Sequence, residues 1–199
     1  MHIGEGLTLL LGGARSGKSD LSVKLGQSWS ESAASKRTVL FVATAEPLDA
    51  DMTARIDRHR LDRPTEWETI EQSCFGADDL AELSSEPLLI LDCLTLLVSN
   101  LLFAEKPIDQ HIAALSKALA QRAGPSIVVS NEVGMGIHPE TALGRSYRDQ
   151  LGTANRVMAE AATTALLIVA GRALPLEPVS WSFEPLRTQG TQNAQDTQS

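Results

Sequence analysis

Eight residues, Gly12-Gly13-Ala14-Arg15-Ser16-Gly17-Lys18-Ser19, carry the clearest chemistry in the chain. Glycines at both ends let the backbone curl until successive N–H groups point at one centre, and a helix N-terminus behind them adds partial positive charge. Such a centre suits phosphate oxygens. Lys18 would reach the β and γ phosphates, and Ser19 would offer its hydroxyl to Mg²⁺, an ion that keeps most of its water and takes one or two protein ligands. A phosphate-binding P-loop needs a strand before it and a helix after it. The apolar run at residues 7–11 and the helix-compatible residues 20–29 meet that requirement, which a simple Gly-rich turn would not need.

A second group of reactive types lies at residues 49–61, which read as a helix stopped by Pro64. Met52, Ile56 and His59 fall on one face at helical spacing, so by spacing alone His59 is a packed side chain. Arg55, Arg58, Arg60 and Arg63 surround it in an otherwise acidic protein. They are either a solvated face or a set of forked donors for triphosphate oxygens. Beside such donors a neutral imidazole could attack an α-phosphate and form a phosphoramidate, splitting one transfer into two steps. Glu71, further on, is indistinguishable by pattern from a surface acid.

The remaining elements must position these groups. Residues 38–44 and 88–92 are short apolar runs that read as the second and third strands, and Asp92 closes the latter. Asp92 fits an acid holding a water of the Mg²⁺ shell, with a helix N-cap as the alternative. Residues 94–103 read as a buried helix. Ile108, Ile112, Leu115 and Leu119 repeat at helical spacing behind Pro107, until Gly124 and Pro125 stop the pattern. Residues 126–131 give a fourth strand, and 132–137 a tight glycine loop. Pro139 opens a long helix with Leu143, Tyr147, Leu151, Ala154, Met158 and Ala161 as its packed stripe, and residues 166–170 form a fifth strand ending at Gly171. Alternation of this kind implies a mainly parallel central sheet flanked by helices, a P-loop NTPase-like α/β fold. Ligands then collect beyond the carboxyl ends of the strands. The polar residues there are the P-loop, Thr44, Asp92, Asn131 with Glu132, and Arg172. Glu132 either orients a substrate hydroxyl or accepts a hydrogen bond from its own glycine loop.

The chain has 199 residues and a formal net charge of -8, with a pI near 5.0. That length suits one domain, placed at residues 1–174, and that charge gives no drive toward nucleic acid or an anionic membrane. Cys74 and Cys93 have neither metal-ligand spacing nor a disulfide framework, and read as small buried hydrophobes in a reducing compartment. No signal-type segment or membrane-length apolar run is present, which predicts a soluble cytoplasmic protein. Residues 175–199 turn to Pro, Gln, Thr, Ser and Gly and form an extension, expected to be disordered from residue 187.

Taken together, several segments resemble the bifunctional adenosylcobinamide kinase and adenosylcobinamide-phosphate guanylyltransferase family. They are GGARSGKS at 12–19, VATAE at 42–46, RIDRHRLDRPTEWETIE at 55–71, LLILDCLTLLVSNLL at 88–102 and SNEVGMGIHPE at 130–140, followed by GRSYRDQLGTANRVMA. The resemblance implies phosphorylation of the aminopropanol hydroxyl of adenosylcobinamide with ATP or GTP. Transfer of GMP from GTP to that phosphate would follow, giving adenosylcobinamide-GDP. It implies a GMP-histidine intermediate on His59, the histidine of the HRxxRP motif. It further places Gly12 to Ser19, Ala43, Thr44, Ala45, Arg60, Leu61, Asp62, Arg63, Glu71 and Asp92 around the guanine nucleotide, and suggests a homo-oligomer, with a trimer expected. Arg58 stands where some relatives carry a second histidine. A small-molecule kinase without nucleotidyl transfer and a nucleotide-gated binding module are the competing readings, although the chain has no NKxD guanine-specificity motif.

Overall fold

A computed structural model describes residues 4–32 and 37–179. The tail expected over residues 187–199 lies outside the described residues. Six strands run parallel: β1 (Leu7–Gly12), β2 (Val39–Ala43), β3 (Glu68–Glu71), β4 (Leu88–Asp92), β5 (Ser126–Val129) and β6 (Thr164–Val169). A seventh, β7 (Arg172–Pro175), turns back antiparallel on β6, and the sheet order is β3-β2-β4-β5-β1-β6-β7. Helices α1 (Lys18–Glu31), α2 (Ala50–Leu61), α3 (Ala77–Ala81), α4 (Leu94–Phe103), α5 (Ile108–Ala120) and α6 (Ala142–Ala161) connect them.

Because successive strand side chains point to opposite faces, the apolar runs feed two cores at once. Leu7, Leu9, Leu89, Leu91 and Val128 join α4, α5 and α6 on one face. Leu10, Leu88, Ile90, Ile127 and Val129 join Leu25 of α1, Phe41 and Trp67 on the other. The α5 stripe of Ile108, Ile112, Leu115 and Leu119 is buried as its spacing predicts.

Four expectations about the elements change. The long helix starts at Ala142 rather than Pro139, because Thr141 accepts the Gly144 N–H at 3.1 Å and caps it. Its stripe is buried only from Leu151 through Met158, and Leu143 is exposed on the first turn. Strand β3 had no counterpart in the sequence reading, so the predicted third strand is β4. The four residues of β3, Glu-Thr-Ile-Glu, are exposed except for half-buried Ile70, so no apolar run betrays it. Strand β7 is likewise short and exposed, and it carries the sheet past residue 174 to Pro175.

Candidate active site

The P-loop is built by close approaches that only glycine permits. Gly12 has φ 153°, and a Cβ there would lie 2.3 Å from the Ile168 carbonyl oxygen. Gly17 has φ 98° immediately before α1. Both flanks of the loop are tied down: Glu132 N–H donates to the Gly12 carbonyl at 3.2 Å, and Gly171 N–H to the Ser16 carbonyl at 3.0 Å. Gly13, Ala14 and Arg15 form the exposed crest. Lys18 folds over the loop, with Nζ donating to the Gly13 carbonyl at 2.6 Å and to Ser16 Oγ at 3.4 Å. Burial lowers the Lys18 pKa, with Cys93 and Asp92 opposing.

Sheet register aligns the acids. Glu71 pairs with Ala43 across β3 and β2, Ala43 with Asp92 across β2 and β4, and Asp92 with Val129 across β4 and β5. Burial raises the Asp92 carboxyl above its ordinary range, against the opposing pull of a Ser19 hydrogen bond and then of His59, Arg63 and Arg55. Cys93 follows through a cis peptide, and burial first and Asp92 second push its thiol up to about 11. Both cysteines are free and half-buried.

Thr44 is fully buried, and its hydroxyl is used twice: it donates to the Cys93 carbonyl at 2.8 Å and accepts the Cys93 N–H at 2.9 Å. Asn100 Nδ2 donates to the Thr44 carbonyl at 2.8 Å. Thr44 thus braces the ends of β2 and β4 together, leaving its neighbours Ala43 and Ala45 to line a cavity.

That cavity, about 50 Å³, is walled on its apolar side by Ala43, Ala45, Met52, Ile56 and Leu96, with Arg55 and Glu71 as charged members. A second cavity of about 260 Å³ lies against α1, bordered by Val23, Lys24, Gln27, Phe41 and Asp62. Ser19, His59, Arg63 and Asp92 border both. The Met52, Ile56 and His59 stripe therefore exists, but it faces a cleft rather than a core, and α2 has no buried residue at all. A helical stripe is identical in sequence whether a sheet or a cavity covers it.

The arginine cluster divides. Arg55 and Arg63 reach the cavity. Arg63 sits half-buried over the Phe41 ring at 3.8 Å, and burial lowers its pKa. Arg60 does not line either cavity but pairs with Glu71, its Nε 2.9 Å and its Nη2 2.5 Å from Glu71 Oε1, with Nη1 at 3.2 Å from Asp57. Leu61 is 85% exposed and Arg58 is exposed. The motif spacing acquires a structural reason: α2 ends at Leu61, Trp67 plugs the core beside Phe41, and β3 delivers Glu71 to the sheet's carboxyl edge. Arg55, one of the candidate donors to phosphate oxygens and one helical turn before His59, lines the cavity, as does Cys93, which the sequence marks only as a small hydrophobe. Arg172 begins the exposed β7. Among the described residues no group of three or more His, Cys, Asp or Glu is placed to hold a metal ion.

A family model described as cobinamide kinase / cobinamide phosphate guanyltransferase matches residues 8–176. The chain belongs to this family. The bifunctional adenosylcobalamin biosynthesis protein CobP of Pseudomonas aeruginosa is 39% identical over 172 residues, covering 85% of this chain and 96% of that protein. CobU proteins of the same description from Escherichia coli and Salmonella typhimurium are 36% and 37% identical, each covering 83% of this chain and 96% of the relative. FlaH, a flagellar accessory protein from Methanocaldococcus jannaschii, has a solved structure that aligns at TM-score 0.49 and 15% identity, over 86% of this chain and 76% of that one. The fold class rests instead on the parallel sheet and the P-loop at the end of β1. As a cobinamide kinase / guanyltransferase family member the chain is a nucleotide-using enzyme. No helix among the described residues is long and apolar enough to cross a membrane.

Proposed function

We propose that this enzyme phosphorylates adenosylcobinamide with ATP or GTP and then transfers GMP from GTP through His59, yielding adenosylcobinamide-GDP. The observation carrying this reading is the position of His59 between two cavities, in company with Ser19, Arg63 and Asp92. A phosphate-binding loop alone serves kinases of every kind. A histidine over the same cleft adds a nucleophile.

In the first step the P-loop N–H groups and Lys18 hold the triphosphate while the acceptor hydroxyl attacks the γ-phosphorus and the nucleoside diphosphate leaves. In the second, a His59 ring nitrogen forms a bond to the α-phosphorus of GTP and pyrophosphate leaves. The phosphate of adenosylcobinamide phosphate then attacks that phosphorus and frees His59. Arg55 and Arg63 are suited to bind the phosphate oxygens, Arg63 being held in place by Phe41. Ser19 and Asp92, which border both cavities, form a hard-oxygen donor pair that fits Mg²⁺. Bound there, Mg²⁺ would neutralise phosphate charge. We also hold assembly as a homo-oligomer, a trimer being the expected state, and the exposed Val169, Leu174 and Leu176 offer apolar surface for it.

Incubation with GTP labelled at the α-phosphate and Mg²⁺ should give an acid-labile GMP–protein adduct with release of pyrophosphate. His59→Ala should give none. An adduct of wild-type yield in that variant refutes the assignment of the nucleophile.

A further inference from the structure

Glu132 lies at the carboxyl end of β5, and β5 is the strand between β4, which carries Asp92, and β1, which carries the P-loop. Val129 pairs with Asp92 on one side and Leu10 on the other, so three residues further on the chain passes the first glycines of the loop. The 3.2 Å bond from Glu132 N–H to the Gly12 carbonyl fixes that juxtaposition. Neighbouring strands are only about 4.8 Å apart, so the Glu132 backbone runs beside the loop at the same sheet edge as Asp92.

This backbone is unusually well fixed. Ser130 Oγ donates to Asn155 Oδ1 at 2.6 Å, Asn155 Nδ2 donates to the Asn131 carbonyl at 3.1 Å, and Asn131 N–H donates to Thr95 Oγ1 at 2.8 Å. Side chains from α6 and α4 thus pin two consecutive residues just before the acid. The carboxylate itself is little used. Oε1 accepts the Gly134 N–H at 3.2 Å, and Oε2 makes no hydrogen bond among the described residues.

We infer that Glu132 is the proton acceptor of the phosphoryl-transfer step. It receives the hydrogen of the acceptor alcohol as the alcohol oxygen forms its bond to the γ-phosphorus and the bond from that phosphorus to the leaving diphosphate breaks; the proton then passes to solvent. This rests on the phosphoryl transfer proposed above. It assigns no part to Glu132 in the His59 step, which has no hydroxyl to deprotonate.

Glu132→Gln separates this role from support of the loop. Glutamine keeps an oxygen for the Gly134 N–H but cannot take the proton. For Glu132→Gln, kcat for cobinamide phosphorylation should fall about 10²- to 10⁴-fold. KM for ATP and the yield of GMP adduct from GTP alone should stay near wild type, and Glu132→Asp should recover part of the loss. Wild-type kcat in Glu132→Gln overturns the inference, as does an equal loss of phosphorylation and adduct formation, which would mark a loop support. Wild-type protein that forms no cobinamide phosphate overturns the proposed kinase activity, and this assignment with it.

Discussion

Gly26 is buried on α1 directly beneath Trp67, the side chain that anchors the segment between His59 and Glu71. A Cβ at Gly26 would meet Trp67 Cη2 at 2.5 Å, Cζ2 at 2.9 Å and Ile90 Cδ1 at 3.0 Å. These atoms have little room to give: the indole is packed near Phe41, with ring centroids 6.4 Å apart, and Ile90 is fully buried. Gly26→Ala therefore gains about 1 kcal/mol of helix propensity and loses about 1–3 kcal/mol by overpacking. Gly152 supplies the control. It lies on α6 with nothing within 4 Å of an added Cβ, so Gly152→Ala gains the propensity term alone. Since that term is common to both variants, the difference between them isolates overpacking, about 1–3 kcal/mol. It amounts to roughly 2–12 °C in unfolding midpoint for a domain of this size. Thermal unfolding followed by circular dichroism measures it. Because Phe41 carries Arg63, Gly26→Ala should also raise the GTP concentration needed for half-maximal adduct formation, whereas Gly152→Ala should not. Equal stabilisation by both substitutions would refute the claim that Trp67 is packed rigidly against α1.

Two further perturbations probe the phosphate centre. Lys18→Ala removes the cation that folds over the loop, and phosphorylation of cobinamide should fall by about 10²- to 10³-fold in a phosphate-incorporation assay; near-normal turnover would contradict the role. Asp92→Asn addresses the half-buried acid at the end of β4. Its folded-state pKa is raised, so ionisation costs stability as pH climbs from the ordinary carboxylate range through the raised value. The variant should unfold at higher temperature near neutrality, by an increment of about 0.5–2 kcal/mol, and the advantage should shrink on acidification while transfer activity is lost. A stability gain independent of pH would count against burial as the cause.

The P-loop, the parallel sheet and the order of the main helices were legible in the sequence because each rests on local patterns. Glycine spacing permits the close turn at Gly12 and Gly17, and uninterrupted apolar runs such as residues 88–91 signal strands covered on both faces. Strands β3 and β7 left no such trace. They lie at the sheet edges, where exposure lets charged residues and Pro175 substitute for apolar ones.

What sequence could not decide is where equivalent-looking side chains point. Spacing put Met52, Ile56 and His59 on one face, but only the packing of α2 over the carboxyl edge shows that the face borders a cleft. The four arginines look alike in sequence. Tertiary contacts set Arg55 and Arg63 inward, tie Arg60 to Glu71 and leave Arg58 in solvent. Strand order is the other such decision. Nothing local says that β5 inserts between β4 and β1, because sheet order depends on contacts among residues remote in sequence. That insertion brings Glu132 beside the P-loop. The sequence by itself therefore determined the phosphate-binding loop, through the few residues whose geometry is local, whereas which acids and arginines border the cleft depended on long-range packing.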